Sequence, residues 1–178
     1  MKIEVTAVKR EEKEILLNLM EKYEYELSQY YHYNEVNELG LYDLGNANYI
    51  DSFYHENAKR WVFFIKADGK LAGFAMILGD EFCLESRKAD YYMSDFFVMY
   101  KYRGLGVGKF AANYLFDKFK GVWQTTVCNR NTNAVLFWLK AIGDYTGGKF
   151  ELLPSEGVDE DEPGDEKNFR VFHFSTDK

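Results

Sequence analysis

The stretch Met99-Tyr100-Lys101-Tyr102-Arg103-Gly104-Leu105-Gly106-Val107-Gly108-Lys109 carries the densest chemical pattern in the chain. Glycines alternate at 104, 106 and 108, directly ahead of an apolar repeat with helical spacing. Without a Cβ, glycine adopts left-handed backbone angles and lets the main chain come close to a ligand. The first N–H groups of a helix lack intrahelical partners and lie at the positive end of its dipole. Together these features make an anion cradle suited to a phosphate or pyrophosphate.

Spacing decides which phosphate ligand. A nucleoside-triphosphatase loop needs Gly, four residues, then Gly-Lys-Ser/Thr. Aligned on Gly108-Lys109, that pattern meets Arg103 at its first glycine and Phe110 at its hydroxyl residue, and so fails twice. The dinucleotide fingerprint Gly-x-Gly-x-x-Gly, begun at Gly104, puts Lys109 at its third glycine and fails too. The spacing that fits is Arg-x-x-Gly-x-Gly, at Arg103, Gly106 and Gly108. A glycine-rich turn with no ligand is the plain alternative.

Other reactive side chains form no comparable pattern. His32, His55 and His173 share no metal-ligand spacing, and no metal site is expected. No Gly-x-Ser-x-Gly nucleophile motif occurs. Cys83 and Cys128 are too few for a disulfide framework and read as small buried hydrophobes. Asp80, Glu81 and Glu85, near the end of a strand, read as surface carboxylates.

The elements around the loop follow from periodicity. Lys2 to Val8 alternates weakly as a first strand. From Glu11 the pattern turns helical, with Ile15, Leu16, Leu19, Met20, Tyr23 and Leu27 as one apolar stripe. Asn34 to Asn46 is a polar loop, and Asn48 to Glu56 reads as a short helix. Trp61 to Lys66 and Leu71 to Leu78 are strands joined through Asp68-Gly69, a strong hairpin signal. Tyr91 to Tyr100 is a central strand, and Val107, Phe110, Ala111, Tyr114 and Leu115 mark an amphipathic helix. Val122 to Cys128 is a strand, and Asn131 to Ile142 is a helix with Ala134, Val135, Trp138, Ala141 and Ile142 on one side. Gly147 to Leu153 and Phe169 to Phe174 form a last strand pair. Antiparallel hairpins followed by a strand–helix–strand crossover imply an α/β (α+β) fold with a mixed sheet and helices on its faces. No repeat or second domain is visible over 1–178.

Composition narrows the partners. At 47% hydrophobic and 18% aromatic, the 178 residues can bury a real core. No apolar run approaches the roughly 20 residues of a membrane helix, and Met1-Lys2-Ile3-Glu4-Val5 is charged where a signal peptide would be apolar. A cytoplasmic protein with no membrane partner is expected. Of the net charge of −7, all is accounted for by Glu156, Asp159, Glu160, Asp161, Glu162, Asp165 and Glu166. The rest balances, with 22 acids against 22 Lys and Arg, so no basic stripe points to nucleic acid. The acidic run reads as a solvated loop or as a rim that attracts cations.

With Arg103, Gly106 and Gly108 in that spacing, the chain resembles the GNAT family of acetyl-coenzyme A-dependent N-acetyltransferases. The element order is similar to that fold's mainly antiparallel central sheet flanked by helices. Ser94 to Lys109, with its Asp95-Phe96-Phe97-Val98-Met99 ahead of the loop, looks closest to the spermidine/spermine (diamine) acetyltransferases. The resemblance implies several roles. Backbone N–H groups of Arg103, Gly104, Leu105, Gly106, Val107 and Gly108 would hold the pyrophosphate of coenzyme A. The backbone near Val98 and Met99 would pair with the pantetheine arm, and an N–H there would polarise the thioester carbonyl. Asn131-Thr132-Asn133-Ala134 matches the family's Asn-x-x-Ala and places Asn131 on the cofactor arm, with a helix N-cap as its second role. Acetyl-coenzyme A is the implied co-substrate and a small-molecule amine the implied acceptor. A homodimer is compatible with the family.

Two positions depart from the family. Many members draw the leaving-group proton from the Tyr of a Phe-Tyr pair. Here the pair is Phe137-Trp138, and indole is a donor but not a useful acid. Tyr145 is a nearby candidate. The diamine enzymes carry Glu where Ser94 stands. Asp95 then becomes the candidate acceptor-site carboxylate, set against a structural hydrogen-bonding role. The leading reading is direct acetyl transfer to a primary amine, polyamine-like in view of the acidic loop. The other is a non-catalytic acetyl-coenzyme A-binding sensor on the same fold.

Overall fold

Asp68 and Gly69 take left-handed φ values of 48° and 74°. Two such residues in succession make the tight turn that matches strand twist. They join β2 (Arg60–Ala67) to β3 (Lys70–Gly79). In this computed structural model, residues 1–31, 35–44, 47–154 and 169–177 are described. The acidic run from Glu156 to Glu166 lies outside them, as do His32 and Asn34.

The remaining strands are β1 (Ile3–Ala7), β4 (Tyr91–Val98), β5 (Val122–Cys128), β6 (Phe150–Pro154) and β7 (Phe169–Ser175). The helices are α1 (Lys13–Leu27), α2 (Ala47–Asp51), α3 (Val107–Lys118) and α4 (Thr132–Thr146). The seven strands form one sheet in the order β1-β2-β3-β4-β5-β7-β6. β1 pairs antiparallel with β2, from Ile3↔Ala67 to Ala7↔Phe63. β7 pairs antiparallel with both β5 and β6. β4 and β5 run parallel, at Tyr91↔Trp123 and Tyr92↔Gln124. The expected mixed, mainly antiparallel α/β architecture is the one observed.

The chain forms two compact units: residues 1–76 with 95–107, and residues 77–94 with 108–178. In the first, α1 buries Leu16, Leu19 and Met20, but Ile15 is 41% exposed and stands off the expected stripe. Tyr23 of α1 packs edge-on to Phe74 and tilted on Phe97, both with centroids 5.6 Å away. In the second, Phe116 of α3 meets Trp123 at 5.2 Å and Phe174 at 5.0 Å, both edge-to-face. Aromatic pairs favour that geometry and add to area burial.

The α3 stripe is the clearest departure in the elements. Val107, Ala111, Ala112, Leu115 and Phe116 are buried, whereas Phe110 and Tyr114 are 45% and 40% exposed. Small alanines let the helix approach its neighbours closely, so the buried face is offset from the bulkier one. α4 buries Val135, Trp138, Ala141 and Ile142 as expected and runs further, to Thr146. It ends on Gly147 at φ 65°, with Gly148 N–H bonded to the Gly143 carbonyl, a glycine stop signal. Among the described residues no helix is long and apolar enough to cross a membrane.

Candidate active site

The first unit contains the end of β4 and most of the glycine loop. After Val98, a single 3-10 turn at Tyr100–Tyr102 reverses the chain, and α3 begins at Val107. The turn uses two of the loop's own donors: Tyr102 N–H bonds the Met99 carbonyl at 2.8 Å, and Arg103 N–H bonds that of Tyr100 at 3.1 Å. Gly104 and Gly106 follow with φ of 72° and 82°. Both are exposed, and a Cβ at either would meet nothing within 4 Å. Glycine is therefore required at these two positions for its backbone angle and not for lack of room. Gly108 lies within α3 and needs no special angle.

The strand end is held from two sides. Met99 N–H donates to the Ala72 carbonyl of β3 at 2.8 Å. Of the two backbone positions expected to meet a ligand, Met99 has thus committed its N–H to the sheet. In an extended strand the neighbouring residue turns its N–H and C=O to the opposite edge. Val98 therefore faces away from β3, and its carbonyl accepts from Arg103 Nε at 2.7 Å. Gly73 of β3 makes the second hold. A Cβ there would lie 1.9 Å from the Phe97 oxygen and 3.0 Å from the Val98 Cα, so the strands touch backbone to backbone. The sequence reading missed Gly73. An isolated glycine inside an apolar strand was the signal for such a close approach. Asp95 stands half-buried two residues before Phe97.

The other expected residues belong to the second unit. Asn131 caps α4, its Oδ1 accepting from Ala134 N–H at 3.0 Å. Trp138 is 5% exposed and packs on Phe137 at 4.9 Å and Phe116 at 6.5 Å. It is a core residue. Tyr145, the expected proton donor, stands in the last turn of α4. It lies fourteen residues along α4 from Asn131, about 21 Å at 1.5 Å per residue. Its hydroxyl donates to Asp117 Oδ1 at 2.8 Å and accepts from Lys120 Nζ at 2.9 Å. Partial burial pushes its pKa above the usual phenol value, making it a poorer acid. Helix length, invisible from the Phe-Trp pair alone, takes it away from the Asn-x-x-Ala end.

A model of the Acetyltransferase (GNAT) family matches residues 18–143, which span the glycine loop and Asn131. The chain belongs to this family.

Several solved GNAT-type folds are similar to this acetyltransferase. A GNAT-family acetyltransferase from Staphylococcus aureus Mu50 is 11% identical, over 98% of this chain and 99% of its own, with a TM-score of 0.63. The PaiA N-acetyltransferase of Thermoplasma acidophilum, solved in complex with coenzyme A, is 15% identical over 98% and 99%, with a TM-score of 0.58. A spermidine N-acetyltransferase SpeG chimera from Vibrio cholerae and hSSAT is 12% identical over 99% and 96%, with a TM-score of 0.56. At these identities the likeness is one of fold. A comparison with curated proteins gave no match.

Among the described residues no cluster of His, Cys, Asp and Glu could hold a metal. Cys83 is part-buried, and desolvation, helped by Asp80 and Asp90, pushes its thiol up to about 11. Cys128 is buried. His55 is exposed.

His173, itself half-buried, belongs to a polar network of the second unit that runs from buried Gln124 to the exposed Arg87–Glu151 pair. Gln124, 1% exposed, accepts from Leu84 N–H at 2.8 Å and donates to the Arg87 carbonyl at 2.6 Å. Those two bonds fix which end of the amide is nitrogen. That nitrogen faces His173 Nδ1 at 3.3 Å, and Arg87 Nε faces His173 Nε2 at 3.5 Å. Both ring nitrogens thus look at donors. Desolvation first, then the Arg87 guanidinium, lower the imidazole pKa below its ordinary 6.5, against the opposing pull of Glu151. Between the lowered value and 6.5 the unfolded chain binds more protons than the folded one, so stability must fall as pH drops through that range. Wild type should lose more melting temperature between pH 7.5 and 5.5 than His173→Gln does. Equal losses in thermal melts would show that His173 does not titrate on unfolding.

Proposed function

We propose that this acetyltransferase moves an acetyl group from acetyl-coenzyme A to a primary amine of a small molecule, by direct transfer, in the cytoplasm. The observation that carries the reading is the loop Arg103 to Gly108: two left-handed glycines ahead of a helix start, in the family's Arg-x-x-Gly-x-Gly spacing. The fit to a pyrophosphate is physical. First-turn N–H groups without intrahelical partners and a positive dipole end meet an exposed, side-chain-free backbone. Acetyl-coenzyme A would supply an activated thioester. The N–H groups of Gly104, Leu105, Gly106, Val107 and Gly108 would hold its phosphates, and Asn131 its arm. Val98 N–H, on the strand edge opposite the Met99–Ala72 bond, would orient the thioester and donate to its carbonyl oxygen. With Met99 N–H and Arg103 N–H already bonded, these two residues contribute position more than donors.

An alkylamine with a pKa near that of lysine, about 10.4, arrives protonated at neutral pH. Asp95 is the carboxylate we assign to the acceptor side, to attract the ammonium and take up its proton through water. Solvent protonates the departing thiolate, since Trp138 is no acid and Tyr145 is engaged with Asp117 and Lys120. The acidic run 156–166 would concentrate cationic acceptors, polyamine-like amines among them.

A second reading, an acetyl-coenzyme A sensor without turnover, draws support from one observation: the family's tyrosine position holds a buried indole. One assay pair separates the two. Acetyl-coenzyme A at 100 times its dissociation constant should stabilise the fold by about 2.7 kcal/mol, read as a rise in melting temperature. Thiol release should then be seen on at least one amine of a panel spanning diamines, polyamines and lysine-like acceptors. No thermal shift would remove the donor from both readings. A shift without thiol release on any amine would leave the sensor.

A further inference from the structure

Arg103 does more than head a motif. Its guanidinium lies 5.9 Å from the Phe97 ring centroid and 6.0 Å from that of Tyr100. Nε donates to the Val98 carbonyl at 2.7 Å, and Nη2 reaches Glu26 Oε2 at 2.5 Å. Glu26 stands in the last turn of α1, three residues after Tyr23 and so on the same side of the helix. Tyr23 rests on Phe97, the residue before Val98. The last turn of α1 therefore grips the end of β4 twice, through a ring and through an ion pair.

We propose that Glu26 is a positioning residue for coenzyme A binding, acting through Arg103 on the Val98 carbonyl. The inference rests on the proposed acetyl-coenzyme A reading and adds to it a residue on a different element. The argument is geometric. A planar guanidinium can bond a carbonyl and a carboxylate at once and lie over rings while doing so. Held by Glu26, it closes off the Val98 carbonyl on the edge away from β3, leaving the N–H there as the polar group for a ligand. It also ties the first residue of the glycine stretch to the strand that precedes it. Without Glu26 the guanidinium keeps only the Val98 carbonyl and the rings, and the loop and strand end lose their tie to α1. The pair is partly exposed, at 37% for Arg103 and 30% for Glu26. Its effect on global stability should therefore be small.

The test compares coenzyme A affinity by calorimetry, with KM and kcat for acetyl transfer, in wild type, Glu26→Ala, Glu26→Gln, Arg103→Lys and Lys13→Ala. Lys13→Ala removes another ion pair of α1, the 2.9 Å contact with Asp51, and serves as the structural control. Glu26→Ala should weaken coenzyme A binding and raise KM for acetyl-coenzyme A on the order of tenfold, with a smaller change in kcat. Glu26→Gln keeps an acceptor oxygen and should recover most of the loss. Arg103→Lys, whose single ammonium cannot span both partners, should resemble Glu26→Ala. Lys13→Ala should bind as wild type does. Unchanged affinity in Glu26→Ala, or an equal loss in Lys13→Ala, would overturn the role of Glu26. If Glu26→Ala does not fold, Arg103→Lys decides, and wild-type affinity there overturns it. Failure of wild type itself to bind coenzyme A would instead defeat the underlying cofactor reading.

Discussion

Gly73→Ala should unfold or severely weaken this acetyltransferase, with a fall in unfolding free energy of about 3 kcal/mol or more. The added Cβ would sit 1.9 Å from the Phe97 oxygen, 2.9 Å from its carbonyl carbon and 3.0 Å from the Val98 Cα. Those are backbone atoms, so no rotamer change relieves the overlap. Relief requires β3 and β4 to part. Flanking residues oppose that: Ala72 and Phe74 are fully buried, and the Met99–Ala72 bond closes the same stretch. Phe97 also packs on Phe74 in a tilted arrangement, with ring centroids 5.9 Å apart. Urea titration followed by circular dichroism gives the comparison. A Gly73→Ala protein with a wild-type midpoint and slope would mean that the strands do not make this contact. Whatever fraction folds should bind acetyl-coenzyme A poorly, because Val98 is the residue displaced.

Gly106→Val should act in the opposite way, sparing the fold and removing the ligand. Here no atom lies within 4 Å of a Cβ, so there is nothing to strike. The difficulty is the φ of 82°, which a β-branched residue adopts only with strain of about 1–3 kcal/mol. An exposed loop can relax that strain by changing its angles, so the melting temperature without ligand should move little. The relaxed loop no longer turns its N–H groups inward. Losing one or two charge-assisted hydrogen bonds, at about 1.5–3 kcal/mol each, weakens binding on the order of a hundredfold. The thermal shift by acetyl-coenzyme A should then disappear at concentrations that saturate wild type. A retained shift would mean that the ligand does not depend on this turn.

The two glycines show where sequence reading reaches and where it stops. Gly106 was legible because its neighbours, two more glycines and an arginine at fixed offsets, sit beside it in the chain. At Gly73 an isolated glycine in Leu71-Ala72-Gly73-Phe74 signals a close approach but not to what, because the partner is the carbonyl of Phe97, 24 positions later. The same distance effect explains His173. Its partners Gln124, Arg87 and Glu151 come from three other segments: strand register sets Gln124 and Glu151 beside it, and the Gln124 amide holds the loop that carries Arg87. The α3 face was misjudged for a different reason. Phe110 and Tyr114 outweigh two alanines on any hydrophobic pattern, yet close packing selects the smaller residues.

What the sequence determined by itself is local: hairpin and helix signals, a mixed sheet from their order, and the glycine loop with its spacing. These depend on backbone angles and periodicity, which neighbours in the chain set. The tertiary structure decided which donors the loop has left. It engaged Met99 N–H with Ala72, buried Trp138, tied the Tyr145 hydroxyl to Asp117 and Lys120, and set Glu26 beside Arg103. Those outcomes depend on contacts between distant segments, where packing and hydrogen-bond satisfaction choose among arrangements that the local pattern allows equally.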